Sequence, residues 1–120
     1  MKKILIVDDE PNIVMTLEYG FKKNDYEVFI ARDGSEAIEI LETVWPDVIM
    51  LDIMMPKVDG YKTLEYIKNV PALSHTKVVF LTAKNKASDI EKGLKLGADK
   101  YLIKPFSVKK VVSEINELLN

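Results

Sequence analysis

The chain lacks cysteine altogether, and it also lacks any long hydrophobic run. Without thiols it can form neither a disulfide framework nor a thiolate metal site, and nothing points to an oxidising compartment. Only residues 4–7 separate the N-terminal lysines from Asp8, far short of the ~7–15 apolar residues of a secretory segment. No stretch approaches the ~18 apolar residues of a membrane span. We therefore expect a soluble, cytoplasmic protein with no membrane partner.

An excess of charge of one sign is missing as well. The formal net charge is -2, and lysines and acidic residues are mixed along the chain. A basic field would indicate nucleic acid and a block of like charge would indicate a disordered tail, so we expect no direct binding of nucleic acid. With 120 residues, 48% of them hydrophobic, the chain has enough apolar material for one core. We expect residues 1–120 to form a single domain, either free-standing or cut from a longer protein.

Short apolar runs recur along the chain, and segments with helical spacing lie between them. The runs are too short for helices and mostly do not alternate, which is typical of strands buried on both faces. They cover residues 4–7, 28–30, 48–51, 78–81 and 101–103. The clearest helical segment is the last, with apolar side chains at Val108, Val111, Val112, Ile115, Leu118 and Leu119. This alternation predicts an α/β, flavodoxin-like (βα)₅ fold, with five parallel strands in the order 2-1-3-4-5 and helices on both faces.

Polar side chains follow four of the predicted strands. Asp8 and Asp9 come after the first strand and Asp52 after the third, whereas Thr82 ends the fourth and Lys104 follows the fifth. In an open parallel sheet the ligand site lies beyond the carboxyl ends of the strands, near the reversal of strand order. Capping of the next helix would explain Asp8 and Asp9 equally well if they stood alone. The joint position of the five residues favours a functional site.

The residue types at this edge are suited to phosphoryl transfer. Carboxylates brought together repel one another, and a hard divalent cation such as Mg²⁺ relieves that repulsion. A metal ion, an ammonium group and a hydroxyl together stabilise the negative charge of a transferring phosphoryl group, and an Asp carboxylate can be the nucleophile. We predict that Asp52 accepts a phosphoryl group beside Mg²⁺ held by Asp8, Asp9 and Asp52. Lys104 and Thr82 would each contact a phosphoryl oxygen.

Six motifs occur in order along the chain: ILIVDDE at residues 4–10, LDIMMP at 51–56, DG at 59–60, LTA at 81–83, GAD at 97–99 and YLIKPF at 101–106. A lone pair of aspartates is weak evidence, whereas this ordered set is highly specific. On these motifs the chain resembles the receiver domain of two-component response regulators over essentially its whole length.

The resemblance implies the donor, the metal ligands and the output. A sensor histidine kinase or a phosphotransfer protein would donate its phosphoryl group to Asp52. Asp9 would bind Mg²⁺ directly, Asp8 would act mostly through water, and the backbone carbonyl of Met54 would be a further ligand. The chain would be a signalling domain and not an enzyme, assisting only its own phosphorylation and dephosphorylation, and it would control an output domain or a downstream protein.

The resemblance also implies how the signal would travel. The Thr82 hydroxyl would move toward the phosphoryl group and Tyr101 would turn inward, which changes the face formed by the fourth helix, fifth strand and fifth helix. Such a change is a population shift, driven only by the interaction energy gained in the active state. A cis peptide between Lys104 and Pro105 is also implied. Met15 and Tyr19 on the first helix are candidates for a kinase-docking surface, together with Phe106. Packing of Met15 and Tyr19 against a neighbouring helix explains them equally well.

Two other functional classes fit the sequence less well. Phosphohydrolases with an Asp nucleophile carry an Asp-x-Asp-x-Thr motif after the first strand, and residues 8–11 do not match it. A flavodoxin-like binding module needs a Gly- or Ser/Thr-rich phosphate loop at the same place, where the acidic residues of this chain would repel a phosphate. A receiver-like scaffold that has lost phosphorylation is opposed by the complete set of site residues.

Overall fold

The computed structural model describes all residues from Met1 to Asn120. Strands and helices alternate strictly, with one short 3-10 turn at Pro71–Leu73 before the fourth strand. Each strand contains the apolar run that was predicted for it. The strands are β1 (Lys2–Val7), β2 (Tyr26–Ala31), β3 (Val48–Leu51), β4 (Lys77–Thr82) and β5 (Lys100–Ile103). The helices are α1 (Pro11–Lys23), α2 (Gly34–Ile40), α3 (Gly60–Lys68), α4 (Ala87–Lys95) and α5 (Val108–Leu119).

The five strands form one parallel sheet in the order β2-β1-β3-β4-β5, so the predicted fold is confirmed. The strand order reverses between β1 and β3. In that pair Val7 lies opposite Leu51, which means that both strands end at the same level. At the other side of the sheet Thr82 of β4 lies opposite Ile103 of β5. This register brings the residues that follow β1, β3 and β5 to one edge.

The core lies on both faces of the sheet, which explains why the strand sequences are continuously apolar. Helices α1 and α5 cover one face, where Leu17, Phe21 and Ile115 are fully buried. Helices α2 and α3 cover the other face, where Leu64 and Ile67 are buried against alternate strand residues. Burying one such side chain contributes about 1.5–3 kcal/mol. None of the five helices has both the length and the apolar content needed to cross a lipid bilayer.

The start of α3 is held tightly beneath the end of β3. The side chain of Asp59 caps the helix by accepting a hydrogen bond from the Lys62 N–H at 2.9 Å. The Gly60 N–H donates to the Ile53 carbonyl at 3.0 Å, which closes the loop after β3. A Cβ at Gly60 would lie only 2.4 Å from the Asp52 carbonyl oxygen, so the close approach of the two segments requires glycine there.

Candidate functional site at the carboxyl edge of the sheet

Backbone hydrogen bonds fix the position of the site residues at the ends of the strands. The Asp52 N–H donates to the Val7 carbonyl at 3.0 Å, which continues the β1–β3 ladder by one residue. The Lys104 N–H donates to the Thr82 carbonyl at 2.9 Å, which does the same for β4 and β5. The Lys104–Pro105 peptide is cis, as the resemblance implied. The sequence-predicted convergence of Asp8, Asp52 and Lys104 is therefore a result of parallel pairing.

One ammonium group lies among three carboxylates at this edge. Lys104 Nζ is 2.8 Å from Asp8 Oδ2, 2.8 Å from Glu10 Oε1 and 3.2 Å from Asp52 Oδ2. The residues Asp8 and Asp52 are only 2% and 4% exposed. The Glu10 side chain is 57% exposed, so it contacts Lys104 from the solvent side. Buried carboxylates need such a partner because an unpaired buried charge is strongly destabilising.

Burial and ion pairing have opposite effects on the pKa values of Asp8 and Lys104. Burial raises the pKa of the Asp8 carboxyl, and the hydrogen bond from Lys104 only partly offsets this. Burial acts to lower the pKa of Lys104, but its hydrogen bonds to Asp8 and Glu10 and the charge of Asp52 raise that pKa above its usual value. The raised pKa of Asp8 favours a neutral carboxyl, whereas the raised pKa of Lys104 favours a charged ammonium paired with a carboxylate. The 2.8 Å distance between Lys104 Nζ and Asp8 Oδ2 supports the ion pair.

The carboxylates of Asp8 and Asp52 are each oriented by a second hydrogen bond from the backbone two residues further on. Asp8 Oδ1 accepts from the Glu10 N–H at 3.0 Å, and Asp52 Oδ1 accepts from the Met54 N–H at 3.2 Å. These bonds leave Oδ2 of each carboxylate facing Lys104. Both side chains are therefore held in place before any ligand arrives, which is the preorganisation that transfer chemistry needs.

The carboxylates present suit a hard divalent cation. Asp8, Glu10 and Asp52 each offer one oxygen, and these oxygens all lie within 4.8 Å of one another. Carboxylate oxygens are the protein ligands that Mg²⁺ prefers. Asp9, which the sequence predicts as a direct ligand, is exposed and does not belong to this group of three. The Met54 side chain is exposed, and the role of its carbonyl as a ligand stays a prediction.

Thr82 and Tyr101 meet at the backbone of Lys84. Thr82 is fully buried, and its Oγ1 accepts a long hydrogen bond from the Lys84 N–H at 3.4 Å. The Tyr101 hydroxyl donates to the Lys84 carbonyl at 2.9 Å, and its ring lies 5.7 Å from that of Phe80. Burial raises the pKa of Tyr101 to about 12. Lys84 therefore joins the end of β4 to β5 through its own two backbone groups.

Helix α4 sits on an aromatic group formed by Tyr61, Phe80 and Tyr101. Tyr61 of α3 packs edge-on against Phe80, with ring centroids 5.8 Å apart, and Lys92 Nζ lies 4.2 Å from the Tyr61 centroid. A Cβ at Gly93 would lie 3.1 Å from the rings of Phe80 and Tyr101, so the glycine allows α4 to approach these rings closely. Tyr101 therefore lies in the packed interface beneath α4.

Sequence reasoning assigned no role to Glu10 or Tyr61. Glu10 belongs to the ILIVDDE motif, and its acidic side chain directly after two aspartates in the same loop is the signal that would include it in the site. Tyr61 carries no local signal, because its partners Phe80 and Lys92 are distant in sequence.

A groove of about 760 Å³ runs between α1 and α5. Met15 and Tyr19, two of the residues that line it, are 66% and 70% exposed. They are therefore not buried against a neighbouring helix, which was the alternative explanation for these side chains. Val108 and Val112 form the opposite wall of the groove.

The comparisons with known proteins agree with this geometry. The sequence model of the response regulator receiver domain family matches residues 4–116. The chain belongs to this family. A curated relative of this receiver domain is the alkaline phosphatase synthesis transcriptional regulatory protein PhoP of Bacillus subtilis, which is 42% identical over 118 residues. Those residues are 98% of the present chain and 48% of PhoP, and the chain spans about half the length of the curated relatives it matches.

Solved structures show the same fold in other receiver domains. The chemotaxis response regulator CheY4 of Vibrio cholerae is 27% identical, with a TM-score of 0.93 and coverage of 98% of both chains. The beryllofluoride-activated receiver domain of DrrB is 28% identical, with a TM-score of 0.90 and coverage of 99% of this chain and 97% of that one. The present chain is thus a phosphoacceptor switch domain of the response regulator type.

Proposed function

We propose that Asp52 is the residue that is phosphorylated in this receiver domain. The observation that carries the proposal is the buried Asp52 carboxylate, held by the Met54 N–H and by Lys104 at the point where strand order reverses. An Asp52 carboxylate oxygen would attack the phosphorus of a phosphohistidine on the donor protein. The new P–O bond would form as the P–N bond breaks, and the histidine nitrogen would keep the electron pair of that bond. The ammonium of Lys104 would then bind a phosphoryl oxygen and stabilise its charge.

We further propose that Mg²⁺ is the cofactor, held by Asp8, Asp9, Asp52 and the backbone carbonyl of Met54. When bound, the ion would neutralise the carboxylates and the charge on the phosphoryl oxygens. The donor would be a sensor histidine kinase or a phosphotransfer protein, and the exposed groove beside Met15 offers a surface for it.

The output is proposed to follow from Thr82 and Tyr101. Phosphorylation would draw the Thr82 hydroxyl toward the phosphoryl group and change the contact of Lys84 with Tyr101, which lies beside α4. The face of α4, β5 and α5 would then control an output domain or a downstream protein. We propose that residues 1–120 act as one signalling domain, which binds no nucleic acid itself and turns over no substrate as an enzyme.

Phosphorylation by acetyl phosphate tests this function directly. With Mg²⁺ present, we expect one acid-labile, hydroxylamine-sensitive phosphoryl group per chain, detected by intact mass and by phosphate-affinity electrophoresis. The variant Asp52→Asn should take up none, because the nucleophilic oxygen is replaced by an amide. Equal labelling of that variant would refute the assignment of Asp52.

A further inference from the structure

The carboxylate of Glu10 contacts Lys104, although its position at the start of α1 suggests that it caps the helix. Glu10 occupies the N-cap position of α1, but its side chain makes no hydrogen bond to the helix. Its Oε1 instead accepts from Lys104 Nζ at 2.8 Å. The hydrogen bond from the Glu10 N–H to Asp8 Oδ1 anchors the loop in this orientation. Glu10 therefore binds the end of β5 to the loop after β1, across the open side of the site.

Three carboxylates share the ammonium of Lys104, which donates hydrogen bonds to Glu10 and Asp52 and forms an ion pair with Asp8. An ammonium group carries three N–H donors. Three carboxylate oxygens, from Asp8, Glu10 and Asp52, lie within 3.2 Å of Lys104 Nζ. A phosphoryl oxygen that binds this ammonium therefore competes with three carboxylate oxygens for its N–H donors.

The three carboxylates differ in their exposure to solvent. Asp8 and Asp52 are buried, so each needs the ammonium or a bound cation as a partner for its charge. The Glu10 side chain is 57% exposed, and water can replace its lost contact at little cost. We propose that Glu10 is a positioning residue that occupies Lys104 in the unphosphorylated domain and competes with the phosphoryl group for it. This inference rests on the proposed role of Asp52 and deepens it.

Binding of beryllofluoride, a reversible mimic of the phosphoryl group, measures this competition at equilibrium. The whole chain is titrated at saturating Mg²⁺, with the saturating concentration determined separately for each variant, and amide chemical shifts report binding. We expect Glu10→Gln to bind beryllofluoride about two- to fivefold more tightly than the wild type, the range set by loss of one exposed ion pair. Glu42→Gln is the matched control, because Glu42 is exposed, lies outside the site and changes the net charge equally.

Two further measurements separate the contact from alternative causes. Glu10→Asp keeps the charge but shortens the side chain, so it should bind more tightly than the wild type if the contact matters. The side-chain Nζ–H₃ signal of Lys104 should exchange with water faster in Glu10→Gln, because the amide oxygen of Gln accepts a weaker hydrogen bond than a carboxylate does. Wild-type affinity in Glu10→Asp together with tighter binding in Glu10→Gln would assign the effect to long-range charge and overturn the proposal.

The outcomes also distinguish this inference from the proposed function. If the wild type binds beryllofluoride, Asp52→Asn does not, and Glu10→Gln has unchanged affinity, then only the role of Glu10 is wrong. If Asp52→Asn binds as well as the wild type, the role of Asp52 is wrong and the inference about Glu10 fails with it.

Discussion

The substitution Gly60→Ala tests how the backbone beneath Asp52, the proposed phosphoacceptor, is packed. Gly60 is the buried first residue of α3, and a Cβ there would lie 2.4 Å from the Asp52 carbonyl oxygen and 2.6 Å from the Ile53 Cα. Both are backbone atoms, so neither can rotate away as a side chain could. Ordinary contact requires the segments to separate by about 1 Å, in a region where packing is dense.

Gly93→Ala is a matched control, since Gly93 is also buried in a helix. Its Cβ would lie 3.1 Å from the ring atoms of Phe80 and Tyr101, which can shift slightly. Replacing Gly by Ala in a helix interior gains about 1 kcal/mol, whereas overpacking costs about 1–3 kcal/mol. Gly93→Ala should therefore range from neutral to about 2 kcal/mol destabilising. Gly60 lies in the first turn of its helix, where Ala gains less helix propensity, and its Cβ would contact backbone atoms that cannot rotate away. We therefore expect Gly60→Ala to lower the free energy of unfolding by about 3 kcal/mol.

Urea unfolding measures this difference. For a domain of this size the free energy of unfolding falls by ~1–3 kcal/mol per molar urea, so Gly60→Ala should lower the midpoint by ~1–3 M. The same variant should be phosphorylated by acetyl phosphate up to ~100-fold more slowly, because a 1 Å displacement of a reacting group can cost that much. If Gly60→Ala is no less stable than Gly93→Ala, backbone contact is not what restricts this position.

Three further predictions follow from single contacts. Tyr101→Phe should remove one tyrosine that titrates near pH 12 in the ultraviolet absorbance. Because its pKa is raised on folding, Tyr101 stabilises the fold below pH ~10 and loses this contribution as pH rises toward 12, so wild-type stability should fall there more than that of the variant. Lys104→Met leaves two buried carboxylates without their cation, so Mg²⁺ should stabilise the variant more than the wild type. The urea midpoint of the variant should therefore rise more with added Mg²⁺, and equal responses would contradict this. Asp33→Ala should cost about 1 kcal/mol, and more than Ser107→Ala, because Asp33 caps α2 at 2.9 Å and Ser107 caps α5 at 3.4 Å.

The approach of Asp8, Asp52 and Lys104 could be predicted because it depends on a general property of parallel sheets. Residues that directly follow neighbouring strands reach the same edge, whatever the side chains are. The register of Val7 with Leu51 and of Thr82 with Ile103 confirms that reasoning. The contact between Glu10 and Lys104 could not be predicted in this way, because Glu10 lies at the N-cap position of α1, beyond the end of its strand, and the contact depends on which rotamer each side chain adopts.

The alternation of strands and helices can be read from the sequence, because apolar periodicity, capping residues and turn residues act over a few neighbouring positions. The residue types that reach the carboxyl edge can be read from it as well. The pairing of these charges is visible only in the folded chain, where Lys104 contacts three carboxylates, one of them Glu10, while Asp9 is exposed. The pairing of a buried ammonium depends on burial and distance in three dimensions, and neither is encoded in local sequence.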